Sequence, residues 1–83
     1  MKLYVDVNGL TKVTLLDDNN NVVFEKNCFY EKLKDTFDEI NTRFSCASVG
    51  QVYLTGPTKM VNHLMPEMHP VFTNAMYSLN GGF

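Results

Sequence analysis

One carboxylate stands out in the first strand-like run of the chain. Asp6 lies in Leu3-Tyr4-Val5-Asp6-Val7, just ahead of Asn8-Gly9, and a second β-rich run extends to Leu16. Asn-Gly between two such runs is the strongest short-range hairpin signal. A carboxylate beside a turn able to expose backbone N–H groups is a place where a phosphate or a metal ion can be held. The bland alternative is that Asp6 accepts a hydrogen bond from the turn itself, as Asx residues do.

Other reactive side chains form weaker patterns. A two-metal nuclease needs several clustered carboxylates around two Mg²⁺ ions. Asp6 and Glu31 could supply two, but Val52-Tyr53-Leu54-Thr55 supplies none where a third is expected. His63, Glu67 and His69 hint at zinc, but Pro66 interrupts them and their spacing matches no ligand pattern. Cys28 and Cys46 form neither a metal-type pair nor a nucleophilic motif with histidine, and read as reduced cytosolic thiols. Met60, Met65, Met68 and Met76 read as core filler or, alternatively, as an adaptable partner surface. No residue is assigned a catalytic role.

The elements that must position these groups fit into 83 residues, which limits the chain to one small domain with one core. At 45% hydrophobic and 12% aromatic the composition is too apolar for disorder. A net charge of -2 argues against phosphate-backbone binding, so nucleic acid is not an expected partner. No run reaches the ~18 apolar residues of a membrane span, and the N-terminus turns strand-like too soon for a signal peptide. A cytoplasmic location is expected.

Side-chain alternation predicts strands at about 2–7 and 12–16. Asp17-Asp18-Asn19-Asn20-Asn21 closes a second hairpin, and Val22 to Lys26 is a third strand, completing an antiparallel meander over 2–26. Asn27 is placed as N-cap of a helix over 27–44, whose stripe is Phe29, Leu33, Phe37, Ile40 and Phe44. The opposite helix face, with Glu31, Lys32, Lys34, Asp35, Asp38 and Glu39, reads as solvated. A buried strand at 51–55 follows, placed parallel to strand one by the right-handed crossover rule. Pro57 opens a helix over 57–65 that Pro66 disrupts. A last helix is placed at 70–80, burying Val71, Phe72, Ala75, Met76 and Leu79 and ending at Gly81-Gly82. The expected order is βββαβαα, an α/β half-fold of ribonuclease-H-like type with a mixed sheet.

Three stretches then resemble one family. Val5-Asp6-Val7-Asn8-Gly9-Leu10-Thr11 is similar to the second phosphate loop of actin-like ATPases, usually Asp-hydrophobic-Gly-Gly-Gly-Thr-Thr. Gln51-Val52-Tyr53-Leu54-Thr55-Gly56-Pro57-Thr58 sits where that family has a strand and its adenosine loop. Val71-Phe72-Thr73-Asn74-Ala75-Met76-Tyr77 looks like its closing Ala-Asn-Ala-type helix. Over nearly the whole chain, order and spacing resemble the C-terminal lobe of ParM-type plasmid-segregation actins. The resemblance implies nucleotide contacts from Asp6, Asn8, Gly9, Thr11, Thr55, Gly56 and Thr58, with Asp6 as the metal residue and Mg-ATP as the cofactor.

Departures from that pattern shape the expected function. Asn8, Leu10, Thr55 and Pro57 stand where the family has glycines, Val13 replaces its later Asp, and the first lobe is missing. One lobe offers half of a cleft. The expectation is a non-enzymatic protein–protein interaction module on a reduced actin-like lobe, needing no cofactor. It would act on itself or on an actin-like or other cellular machine, and its edge strand Val22–Lys26 offers a docking edge. A compact, Asn-rich product of this kind suits a phage or plasmid gene. The alternative is a nucleotide-responsive actin-like protein of DNA segregation that completes its site by self-association.

Overall fold

Alternating apolar residues and two tight turns build the first half of the fold. The computed structural model describes residues 1–80, in which β1 (Lys2–Asp6), β2 (Thr11–Leu16) and β3 (Val22–Cys28) form the antiparallel meander. In the second turn Asp17 Oδ1 accepts the N–H groups of Asn19 and Asn21 at 2.9 Å. The bond from Asn21 is the main reason the Asp17 carboxyl titrates below its ordinary range. A short 3₁₀ turn at Tyr30–Lys32 leads into α1 (Leu33–Arg43), followed by β4 (Gln51–Thr55), α2 (Thr58–Met68) and β5 (Met76–Asn80).

Among the described residues the architecture is α/β, with two α-helices and one five-stranded mixed sheet in the order β3-β2-β1-β4-β5. β4 lies parallel to β1, with Lys2 beside Gln51 and Asp6 beside Thr55. β5 lies parallel to β4, with Gln51 beside Met76 and Thr55 beside Asn80. Leu3, Val5, Val13, Leu15, Phe24, Val52 and Leu54 all point to one side, where they form a single core with Leu33, Phe37, Ile40, Val61, Leu64 and Met68 of the helices. The sheet's other side is open among the described residues. Tyr4, Asp6, Lys12, Glu25, Gln51 and Ser78 are exposed there, and the rings of Tyr4 and Tyr53 stack at 4.6 Å.

Several expectations are corrected. The segment 70–80 is a turn followed by a strand, not a helix. Phe72 is buried as expected, but Met76 and Leu79 are 77% and 50% exposed. The reason is the crossover: β4 has an open neighbouring position, and Met76–Asn80 gains a full parallel ladder by filling it. The helix stop placed at Gly81-Gly82 lies outside the described residues.

Asn27 is no helix cap. β3 runs on to Cys28 because Thr11 and Lys12 of β2 pair with Cys28 and Asn27, so α1 starts only at Leu33 and Phe29 is left 70% exposed. Pro66 does not stop α2 either. Its ring faces solvent in the last turns, and burial of Leu64 and Met68 on the opposite side holds the helix to Met68. Proline at 66 withholds the N–H that would otherwise bond the carbonyl of Asn62, a residue exposed to solvent.

Candidate functional site

The C-terminal ends of β1 and β4 bring most of the expected site residues together. Asp6 and Thr55 are neighbours in register, on the open side of the sheet, with Lys12 on the other flank of Asp6. Asp6 Oδ1 accepts the Asn8 N–H at 2.8 Å, so the carboxylate closes its own turn. Gly9 takes φ 66° in that turn, with open space where a Cβ would stand.

The two loops then meet. Val7 N–H donates to Thr55 O at 2.8 Å, and Gly56 takes φ 147° against Val7. A Cβ on Gly56 would lie 2.5 Å from Val7 Cγ2, so glycine is required for the loops to close. Val7 is itself buried and fills the space between them.

Thr11 is turned away from this group, and Thr58 follows Gly56 by two residues. Thr11 turns to the helix side with Val13 and Leu15, is 1% exposed, and its hydroxyl has no hydrogen-bond partner. Thr58 is the first residue of α2, and no side chain caps that helix. Among the described residues no three His, Cys, Asp or Glu side chains cluster closely enough to hold a metal ion. His63 and Glu67 approach to 3.8 Å on the exposed side of α2, while His69 packs against the Tyr77 ring at 4.4 Å. Both cysteines are free, and burial pushes the Cys46 thiol above its ordinary pKa.

Two features were not foreseen. The first is a groove of about 510 Å³ between the helices, lined by Tyr30, Leu33, Phe37, Leu64, Glu67 and Val71. The Tyr30 hydroxyl is buried without a partner, and burial first, then Glu67, raises its pKa. The second is the second sheet edge formed by β5.

The two edges differ in chemistry. β3 reads Val-Val-Phe-Glu-Lys-Asn-Cys, with a register irregularity against β2 between Leu15 and Leu16. Its charges are engaged: Glu25 with Lys12 at 3.6 Å, and Lys26 with Glu39 of α1 at 3.0 Å. Arg43 stacks over Phe24 and bonds Glu39, whose carboxyl is lowered chiefly by the Lys26 hydrogen bond. β5 reads Met-Tyr-Ser-Leu-Asn, with no charge and no proline. Met76 N–H points inward to Gly50 O at 3.0 Å. Strand alternation then turns the N–H and C=O of Tyr77 and Leu79 outward. A run of uncharged residues after a crossover helix was the available signal for this strand, but its apolar spacing also fits a helix. No protein-family model, curated protein or solved structure matches the chain.

Proposed function

We propose that the chain is a non-enzymatic protein–protein interaction module built on a reduced ribonuclease-H-like, actin-like lobe, and that it takes its partner along β5. The strand order supports the lobe: an antiparallel meander, then two strands parallel to β1, each reached through a helix. The observation that carries the function is the contrast between the edges. β3 carries the charges that keep edge strands solitary, whereas β5 offers two residues' worth of unpaired backbone beside exposed Met76 and Leu79. An extended segment added there gains main-chain hydrogen bonds without disturbing the core.

The nucleotide-responsive reading draws on Asp6 lying beside Thr55 at strand ends of the kind that bind ligands. It carries less weight. Asp6 is engaged by Asn8, Thr11 faces the core, and Val7 occupies the junction of the two loops.

The test compares baits. Wild-type chain and Leu79→Pro are used to capture proteins, this chain included, from the native host. Proline at 79 removes an outward N–H and leaves the ladder to β4 intact. Capture that depends on Leu79 supports the module; identical capture by both baits sinks it.

A further inference from the structure

We infer that the strand received by β5 is β5 of a second copy, paired antiparallel about Ser78. The inference rests on the interaction reading above and names its partner. Three features of β5 make it complementary to itself.

The first is backbone geometry. Outward-facing groups belong to Tyr77 and Leu79, two residues apart, so an antiparallel copy centred on Ser78 sets Tyr77 opposite Leu79 of the other chain. Directly opposed residues with facing N–H and C=O groups form the hydrogen-bonded pairs of an antiparallel ladder. Both such pairs are complete in this register, and Ser78 faces Ser78 as the intervening non-hydrogen-bonded pair.

The second is charge. β5 has none, so self-pairing opposes no like charges. The same centred pairing of β3 would set Glu25 against Glu25.

The third is side-chain fit. Tyr77 and Leu79 share the helix side of the sheet with Val52 and Leu54, so half-exposed Leu79 comes to rest on the Tyr77 ring of the other copy. Ser78, on the axis, is small enough for the two strands to approach. The two-fold axis runs normal to the sheet. Two five-stranded sheets become one continuous sheet with both helix layers on the same side.

A single strand pair is a small interface, so micromolar affinity is expected. Sedimentation of the purified chain from micromolar to millimolar concentration should show a monomer–dimer equilibrium, with a limiting mass twice 9.5 kDa. Leu79→Pro should weaken it at least tenfold with an unchanged far-UV circular dichroism spectrum. Should that variant fail to fold, Leu79→Lys keeps the backbone and adds the missing guard charge, with the same expected loss. Register is read by cysteines in a Cys28→Ser background. Ser78→Cys should cross-link to itself under mild oxidation, because non-hydrogen-bonded pairs bring Cα atoms within disulfide reach. Met76→Cys falls opposite Asn80 and should not.

A monomer at every concentration overturns self-pairing, as does equal cross-linking at 76 and 78 or a dimer indifferent to both Leu79 variants. If the chain is monomeric while host capture still depends on Leu79, self-pairing falls and the interaction module stands. If capture is indifferent as well, both fall.

Discussion

β3 and β5 close the same sheet from opposite sides, and they are finished in opposite ways. β3 is seven residues long, carries Glu25 and Lys26 near its middle, and has both tied into ion pairs with neighbouring elements. β5 is five residues long, uncharged, and leaves Leu79 and Met76 in water. Solvent-exposed ion pairs such as those of Glu25 and Lys26 contribute little to stability, so the charges on β3 earn their place by something other than holding the fold. Their effect is to make a second strand costly to add. The comparison teaches that two edges of one sheet can differ in openness through their side chains, with the register irregularity beside β3 adding to its charges.

The largest expected effect comes from erasing that difference. Glu25→Val combined with Lys26→Val leaves two unguarded edges, and a chain with two distinct adhesive edges grows without closing. Light scattering should show particles well beyond the dimer. If the double variant remains at the mass of wild type, the charges are not what keeps β3 solitary.

A smaller effect separates pairing from stability. Gly56→Ala forces a Cβ into Val7 at a φ of 147°, at a cost of about 2–3 kcal/mol. Calorimetry should record a Tm lower by roughly 10–20 °C. The association through β5, measured well below that Tm, should be unaltered. A loss of association in step with Tm would mean that pairing merely tracks fold integrity.

The smallest effect is the contribution of Tyr77, on the β5 side, to the pH dependence of stability. Burial, with Cys46 nearby, pushes the Tyr77 phenol up to about 12, and its hydroxyl donates to Phe72 O at 3.3 Å. The unfolded chain loses this proton near pH 10 and the folded chain keeps it longer, so stability falls as pH rises from about 10 towards 12. β3 carries no tyrosine. Denaturant midpoints should decline less steeply with pH in Tyr77→Phe, and absorbance at 295 nm should lose one late-titrating group. An unchanged decline would assign the alkaline sensitivity elsewhere.

Much of the fold was legible because the relevant signals were local. Asn8-Gly9 and the Asp17–Asn21 run mark both hairpin turns, and the alternation around Val5, Val13 and Leu15 sets which side is buried. The strand at 51–55 and its place beside β1 followed from crossover geometry. What escaped depends on distant partners. Asn27 prefers helix starts, but Lys12 across the ladder recruits it to β3. Met76 and Leu79 fit a helical spacing, and only the vacancy next to β4 decides for a strand. At the candidate site, Asp6 and Thr55 were expected near each other and are. The resemblance implied Thr11 beside them, but Thr11 is in phase with Val13 and Leu15, and that alternation turns it to the core side.

The stacked rings of Tyr4 and Tyr53 have a practical consequence. The chain contains no tryptophan, so its ultraviolet signature comes from four tyrosines, and two of them lie 4.6 Å apart at an interplanar angle of 15°. They belong to β1 and β4, the antiparallel half of the sheet and its parallel half respectively. Coupled transitions in such a pair make the seam between those halves visible in near-ultraviolet circular dichroism. The molecule thus carries its own optical gauge of whether β1 and β4 have joined.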